Sequence, residues 1–374
     1  MKFKTVTCIT VMALLVALAM PISLAAQQII TFDAPGAGTT STPGCLSNGS
    51  CQGTFPQQNI PVGIITGYYV DTNFMAHGFV RATDGTITTF DAPGASAGTF
   101  AFGINPAGAI VGQYCDATTC HGFLRAADGT FTSFDPPNSV FTSPGAINPA
   151  GTISGSYDDT NFVSHGFVRD PKGTFTSFDP QASVFTNDDT LGINPAGVIT
   201  SSYLDTNFAW HGFVRDPTGT ITTVDAPGAG SDFAQGTITE SINTTGTIPG
   251  IYIDANNVVH GFVRATDGTI TTFDAPGAGT GSTPGCGFVF GTCQGTATSA
   301  TNPAGITVGE YRNGSDAHHG FVRTPNGTFT FFDPPGAGTG SGQGTIPASI
   351  TPAGAITGYY IDASNVGHGF LRNP

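Results

Sequence analysis

The segment CHGFLRAADGTFTSFDPP, residues 120–137, gathers His121, Arg125, Asp128 and Asp135. Imidazole, guanidinium and carboxylates at that density are the groups of acid–base chemistry and anion binding. A second concentration, GEYRNGSDAHHGF, holds Glu310, Arg312 and His318, and Glu310 is one of only two glutamates, the other being Glu240. A carboxylate and an imidazole this close could serve a polysaccharide hydrolase or lyase. Three loops, DTNFMAH, DTNFVSH and DTNFAWH, carry Phe74, Phe162, Phe208 and the single tryptophan, Trp210. Their rings could stack on sugars, or pack inward beneath the loops as aromatics usually do.

Repetition separates scaffold from chemistry. HGFVR or HGFLR occurs seven times, at His77, His121, His165, His211, His260, His319 and His368, in steps of 44, 44, 46, 49, 59 and 49 residues. A residue needed once for catalysis has no reason to recur in every unit, whereas one that locks a strand pair does. The seven histidines, the arginines four residues on and the aspartates such as Asp135 are therefore read as structural. Glu310, Arg312 and His318 break the repeat, and deviations from a repeat are where specific chemistry concentrates. They and the loop aromatics are the candidate binding residues, and no catalytic set is assigned.

Each unit passes through a run such as INPAG, an apolar strand ending near Tyr-x-Asp, the HGF motif and a strand ending in FD. Asn-Pro-Ala-Gly suits a tight hairpin, and Asp-Gly pairs such as Asp84-Gly85 mark a second one. If that second turn holds two residues, Phe79 faces Phe90 and Gly78 faces Asp91. Four short antiparallel strands per unit of about 45 residues predict an all-β, seven-bladed β-propeller. The FD strand follows six HGF motifs, but the chain stops just after the seventh, at Pro374, while IITFDAPGAG stands unpaired near the start. The segment 27–36 is thus expected to complete the last blade and remove the exposed sheet edges.

The repeat resembles the bacterial extracellular HAF repeats, in which His-x-Phe units alternate with asparagine- and glycine-bearing turns. Glycine here replaces the alanine of the family's triplet. The resemblance implies an exported repeat protein and brings no catalytic residues.

Composition bounds the rest. Residues 1–26 pair a lysine-bearing start with an apolar run and small residues, the layout of a secretory signal peptide, leaving 27–374 as one propeller domain. Removing Lys2 and Lys4 takes the formal charge from −14 to −16, which argues against nucleic acid or anionic lipid as partner. No second apolar run is long enough to insert in a membrane. Six cysteines remain after Cys8, in local pairs that predict the disulfides Cys45–Cys51, Cys115–Cys120 and Cys286–Cys293. Metal and cofactor are not expected: Asp-x-Asn hints at calcium, but the oxygen set and closing glutamate are missing. All three cysteine pairs fall in loops expected on one rim, where long loops on a rigid scaffold place binding sites. The expectation is a secreted, non-catalytic module that contacts an extracellular glycan or protein there, or a structural matrix component.

Overall fold

The computed structural model describes residues 28–41, 51–181, 183–186, 192–281 and 293–374; the expected leader, Cys45 and Cys286 lie outside the described residues. Among the described residues the chain forms 29 β-strands and no helix. The first four-strand unit consists of Gly53–Asn59, Ile65–Val70, Ala76–Arg81 and Ile87–Phe90, each antiparallel to the next. We call these the inner, second, third and outer strands. The pattern recurs to give seven such units among the described residues, with the inner strand of unit 4 in two pieces, Phe185–Thr186 and Gly192–Ile193. Unit 7 takes Gly344–Ile350, Ile356–Ile361 and Gly367–Arg372 from the C-terminal end and Ile29–Phe32 from the other. Unit 7 also meets unit 1: Gly53 pairs in parallel with Gly367, and Asn59 Nδ2 donates to the Ala355 carbonyl at 3.1 Å.

The turns follow from single residues. At the inner hairpin of unit 2, Asn105 Oδ1 accepts from the amides of Ala107 and Ala109, and Gly108 takes the left-handed φ of 81° that closes the turn. The third-to-outer hairpin differs from the two-residue turn expected. Ala82 N donates to Thr86 O and Gly85 N to Ala82 O, so three residues, 83–85, bridge the strands, with Gly85 at φ 91° in the bulge position. The register moves by one: Gly78 faces Phe90, and Phe79 faces Thr89.

That shift explains the glycine of HGF. A Cβ on Gly78 would lie 2.2 Å from the Phe90 ring, and the same holds at 2.6 Å for Gly122 and Phe134 and at 2.5 Å for Gly166 and Phe178. The outer-strand ring lies flat over the glycine of its own unit. Its edge then reaches the next unit, where Phe90 meets Phe123 at 6.3 Å and Phe134 meets Phe167 at 6.3 Å. The HGF phenylalanines, Phe79 through Phe370, are fully buried, and each contributes about 1.5–3 kcal/mol of burial.

The repeat arginines find their partner on the same ring. Arg81 stacks over Phe32 at 4.9 Å, Arg125 over Phe90 at 4.8 Å, Arg169 over Phe134 at 4.9 Å, Arg215 over Phe178 at 5.0 Å and Arg372 over Phe332 at 4.9 Å. In each case the ring belongs to the preceding unit. Unit 5 departs from the scheme, because the residue offered to Arg264 is Val224, which has no ring.

Two substitutions test this interlock by urea denaturation. Val224→Phe is expected to supply the missing cation–π contact and stabilise the fold by about 0.5–1 kcal/mol. Gly166→Ala forces the Phe178 ring off its seat and is expected to cost about 1–3 kcal/mol. An unchanged midpoint in Gly166→Ala would count against the packing described.

Candidate functional site

The loop between second and third strands is built by one aspartate. Asp71 Oδ1 accepts from the amides of Asn73 at 2.8 Å and Met75 at 2.9 Å, and Asp159 and Asp205 do the same in units 3 and 4. These amides hold the Asp159 carboxyl below its ordinary pKa, Val163 contributing most. The second oxygen of the same aspartate faces a repeat histidine: Asp71 Oδ2 lies 3.7 Å from His77 Nε2, while His77 Nδ1 donates to Asp91 at 2.8 Å. Tyr69 stacks on the His77 ring at 4.9 Å. Tyr, His and two carboxylates recur in this arrangement in units 2, 3, 4, 5 and 7, with Asp33 closing the last set against His368. In unit 6 Asn313 replaces the loop aspartate and places its amide nitrogen 3.2 Å from His319 Nε2.

The histidine network stays partly open to water: the His77 side chain is 20% exposed and that of Asp91 56%. The arginine is not in this network at all. The hydrogen bond that His260 donates to Asp274 raises the histidine's pKa against the opposing effect of burial, and the bond to Asp33 does the same for His368.

The loop geometry decides the fate of the aromatics. Its fourth residue must be left-handed: φ is 62° at Phe74, 61° at Phe162 and 58° at Phe208, and 61°, 60° and 63° at Asn257, Asp316 and Asn365 in units 5 to 7. Asn and Asp tolerate that region, and their side chains turn inward to accept from the crossover glutamines: Gln235 to Asn257 at 3.3 Å, Gln294 to Asp316 at 2.9 Å, Gln343 to Asn365 at 3.1 Å. Phenylalanine is strained there and cannot accept such a bond. The three rings instead project outward, with Phe162 81% exposed, Phe74 55% and Phe208 49%. Phe208 has an aromatic neighbour at 6.2 Å, the exposed Phe233 of the following crossover, which sequence reading missed; its only signal was an apolar residue in GSDFAQGT. Unit 2 has a shorter loop spanned by the Cys115–Cys120 disulfide. Cys51 and Cys293, in the crossovers, are also disulfide-bonded.

Trp210 requires a correction. It is 3% exposed and packs at 6.4 Å from Phe185 in a cluster with Leu204, Ile238 and Ile251, so it offers no ring to a ligand at the rim. Its position on the third strand directs it between units, while Phe208 sits on the turn.

Glu310, Arg312 and His318 do come together, but inside. Glu310 Oε2 lies 3.0 Å from His318 Nδ1, and His318 is 2% exposed. The contact lacks hydrogen-bond geometry, and His318 Nε2 has no hydrogen-bond partner among the described residues. Arg312 donates to the Cys293 carbonyl at 3.2 Å; burial pushes its pKa down, and Glu310 and Asp316 oppose that. Arg312 thereby anchors the Cys293 crossover.

No protein-family model matches the chain, and no curated protein matches its sequence. Solved structures do. A catalytically inactive virginiamycin B lyase from Staphylococcus aureus in complex with quinupristin aligns over 93% of this chain and 100% of its own, with a TM-score of 0.56 at 14% identity. The β-propeller domain of the Trilobed protease from Pyrococcus furiosus aligns over 85% and 95%, with a TM-score of 0.54 at 7% identity. The BP39L lectin from Burkholderia pseudomallei aligns over 86% and 97%, with a TM-score of 0.52 at 10% identity. At these identities the likeness defines the fold: the chain is an all-β protein of the β-propeller type.

The His–Asp pairs set a pH dependence. A raised folded pKa stabilises the fold below the ordinary histidine value of about 6.5, and that stabilisation is lost as pH rises through the raised value. The melting temperature is therefore expected to fall from pH ~6.5 upward, and His260→Gln with His368→Gln is expected to reduce the fall. A flat wild-type profile over that range would refute the assignment.

Proposed function

We propose that the chain is an exported HAF-repeat protein whose seven units close into a seven-bladed propeller, with the N-terminal strand completing the last blade. In this reading it is a non-catalytic binding module that contacts an extracellular glycan or protein through the rim of second-to-third-strand loops and disulfide-bearing crossovers. The observation that carries the reading is the trio Phe74, Phe162 and Phe208. Each takes a left-handed turn position that Asn257 and Asn365 fill without strain, and leaves an apolar ring in water. Each costs the fold about 1 kcal/mol or more. Stability alone would not retain three such residues, whereas contact with a partner would.

Export is supported by the disulfide and by the leader-like start, and no helix among the described residues is long and apolar enough to cross a membrane. The catalytic alternative would rest on Glu310 and His318. It is less well supported, because His318 is enclosed while the phenylalanines are exposed.

The test is saturable binding of the mature chain to a glycan array and, separately, to extracellular protein from the native culture, for wild type and for a Phe74→Asn, Phe162→Asn, Phe208→Asn variant. The variant is expected to melt at the same or a higher temperature and to bind at least about tenfold more weakly, a loss of ~1.4 kcal/mol. Absence of saturable binding in both arms, or undiminished binding by the variant, would overturn the proposal.

A further inference from the structure

Charge is divided unequally between the two ends of each unit. The second-to-third-strand loops and the ends of the outer strands lie at the rim. There every unit except the sixth sets two carboxylates against one histidine, as Asp71 and Asp91 flank His77 and Asp205 and Asp225 flank His211. The outer-strand members Asp91, Asp179 and Asp225 are half-exposed. Cations stand at the other end. The repeat arginines, Arg81 through Arg372, close the third strands where the outer hairpins turn, and Lys172 lies in one of those turns. They are offset there by turn aspartates, Arg81 by Asp84 and Arg215 by Asp216. Arg312 is the remaining cation of the described residues, and it is buried and bonded to the Cys293 carbonyl. The rim is thus an anionic face with no exposed lysine or arginine among the described residues.

The exposed rings stand in this field. Phe74, Phe162 and Phe208 each lie in a turn opened by a rim aspartate, and Phe208 meets the exposed Phe233, which follows Asp232 in the chain. The side-chain amides nearest the rings are committed to the turn. One oxygen of each aspartate accepts from two backbone amides, and the asparagine beside the ring donates to the other oxygen, at 3.3 Å for Asn73 and Asn161 and 3.4 Å for Asn207. A sugar stacked on these rings meets hydrogen-bonding groups that are already engaged. The carboxylate charge is not consumed in this way, and it acts over about 8–10 Å at ordinary salt. Apolar rings among carboxylates suit a guanidinium or ammonium whose stem or planar face covers the ring while its charge meets the acid. The protein makes the same contact internally, where Arg125 lies over Phe90 at 4.8 Å.

We propose that the partner of the rim is a cationic polypeptide segment, one that presents arginine or lysine among apolar side chains. The inference rests on the reading of the rim as a binding surface and narrows its ligand from glycan or protein to this class. Charge selects the occupant. A second copy would bring another net charge of −14 and arginines already stacked on phenylalanines, and an acidic polysaccharide would be repelled.

Fluorescence anisotropy with labelled peptide probes tests the assignment. A peptide alternating arginine with leucine is expected to bind the mature chain saturably, one alternating arginine with serine at least about tenfold more weakly, and one alternating glutamate with leucine not at all. Raising NaCl from about 0.05 to about 0.5 M is expected to weaken the arginine–leucine peptide at least about tenfold. Asp91→Asn, Asp179→Asn and Asp225→Asn together keep an acceptor for each histidine while removing rim charge, and are expected to weaken it about tenfold. Asp84→Asn, Asp128→Asn and Asp267→Asn remove the same charge from the far end and are expected to leave binding unchanged. The salt series needs only the wild type and serves if the rim variant does not fold. Equal binding of the glutamate–leucine peptide, binding indifferent to salt, or equal losses in the two charge variants would overturn the proposal. Glycan binding that the triple phenylalanine-to-asparagine variant loses, without any arginine–leucine binding, would overturn it while leaving the rim a binding surface. No binding of glycan, extracellular protein or peptide would overturn both.

Discussion

The outer-strand phenylalanine is the contact on which the rest of the molecule depends. Phe90 lies over Gly78 of its own unit, touches Phe123 of the next and carries the Arg125 guanidinium on its face. A four-strand unit cannot bury both its faces alone, so its stability is a property of the stack. One ring thus performs three tasks: it demands a glycine in the third strand, fills the gap between units, and gives the next unit's arginine a partner that needs no carboxylate. Ile29–Phe32 follows from the same need, since Phe32 supplies unit 1 with the ring that Arg81 and Phe79 require. The N-terminal strand is packing as much as sheet completion.

On this frame the polar repeats serve economy of local structure. A single loop aspartate satisfies two turn amides with one oxygen and faces the histidine with the other, so the same residue shapes the loop and orients the ring beneath it. Asp, His and Asp in line can look like an active site when only one unit is read. Six of the seven units carry the set, and unit 6 replaces one carboxylate with Asn313 without losing the loop. The arrangement is a fastening, and its exposure to water makes it responsive to pH.

Two positions of the repeat vary in residue type from unit to unit. One is the left-handed corner of the rim loop, which holds Asn or Asp turned inward to a crossover glutamine in units 5 to 7 and Phe turned to solvent in units 1, 3 and 4. The other is the inner-strand bulge, which holds Gln57, Phe102, Gly145, Ser299 and Ala348 in units 1, 2, 3, 6 and 7. These lie at opposite ends of each unit by virtue of antiparallel connectivity, since inner strands run from the crossover rim to the hairpin turn. The two positions are separated by the length of a strand, and both vary without disturbing the interlock.

Local rules made much of this legible in sequence. The period of HGF[VL]R, the displaced strand at Ile29 and the turn asparagines and glycines all act within a unit, so neighbouring residues are enough to reveal them. What stands across a gap was not legible. The ring beneath each arginine belongs to another unit, and the one-residue shift that seats Phe90 over Gly78 depends on whether two or three residues bridge the hairpin. Burial of Trp210 and His318 and exposure of Phe162 were equally hidden, because the direction of a side chain depends on strand alternation and on the sign of φ. Sequence by itself determined the repeat, the turns and the split unit, which short-range covalent and steric constraints encode. Only the tertiary structure decided which residues face water, a cavity or another unit, since those are relations between surfaces that meet after folding.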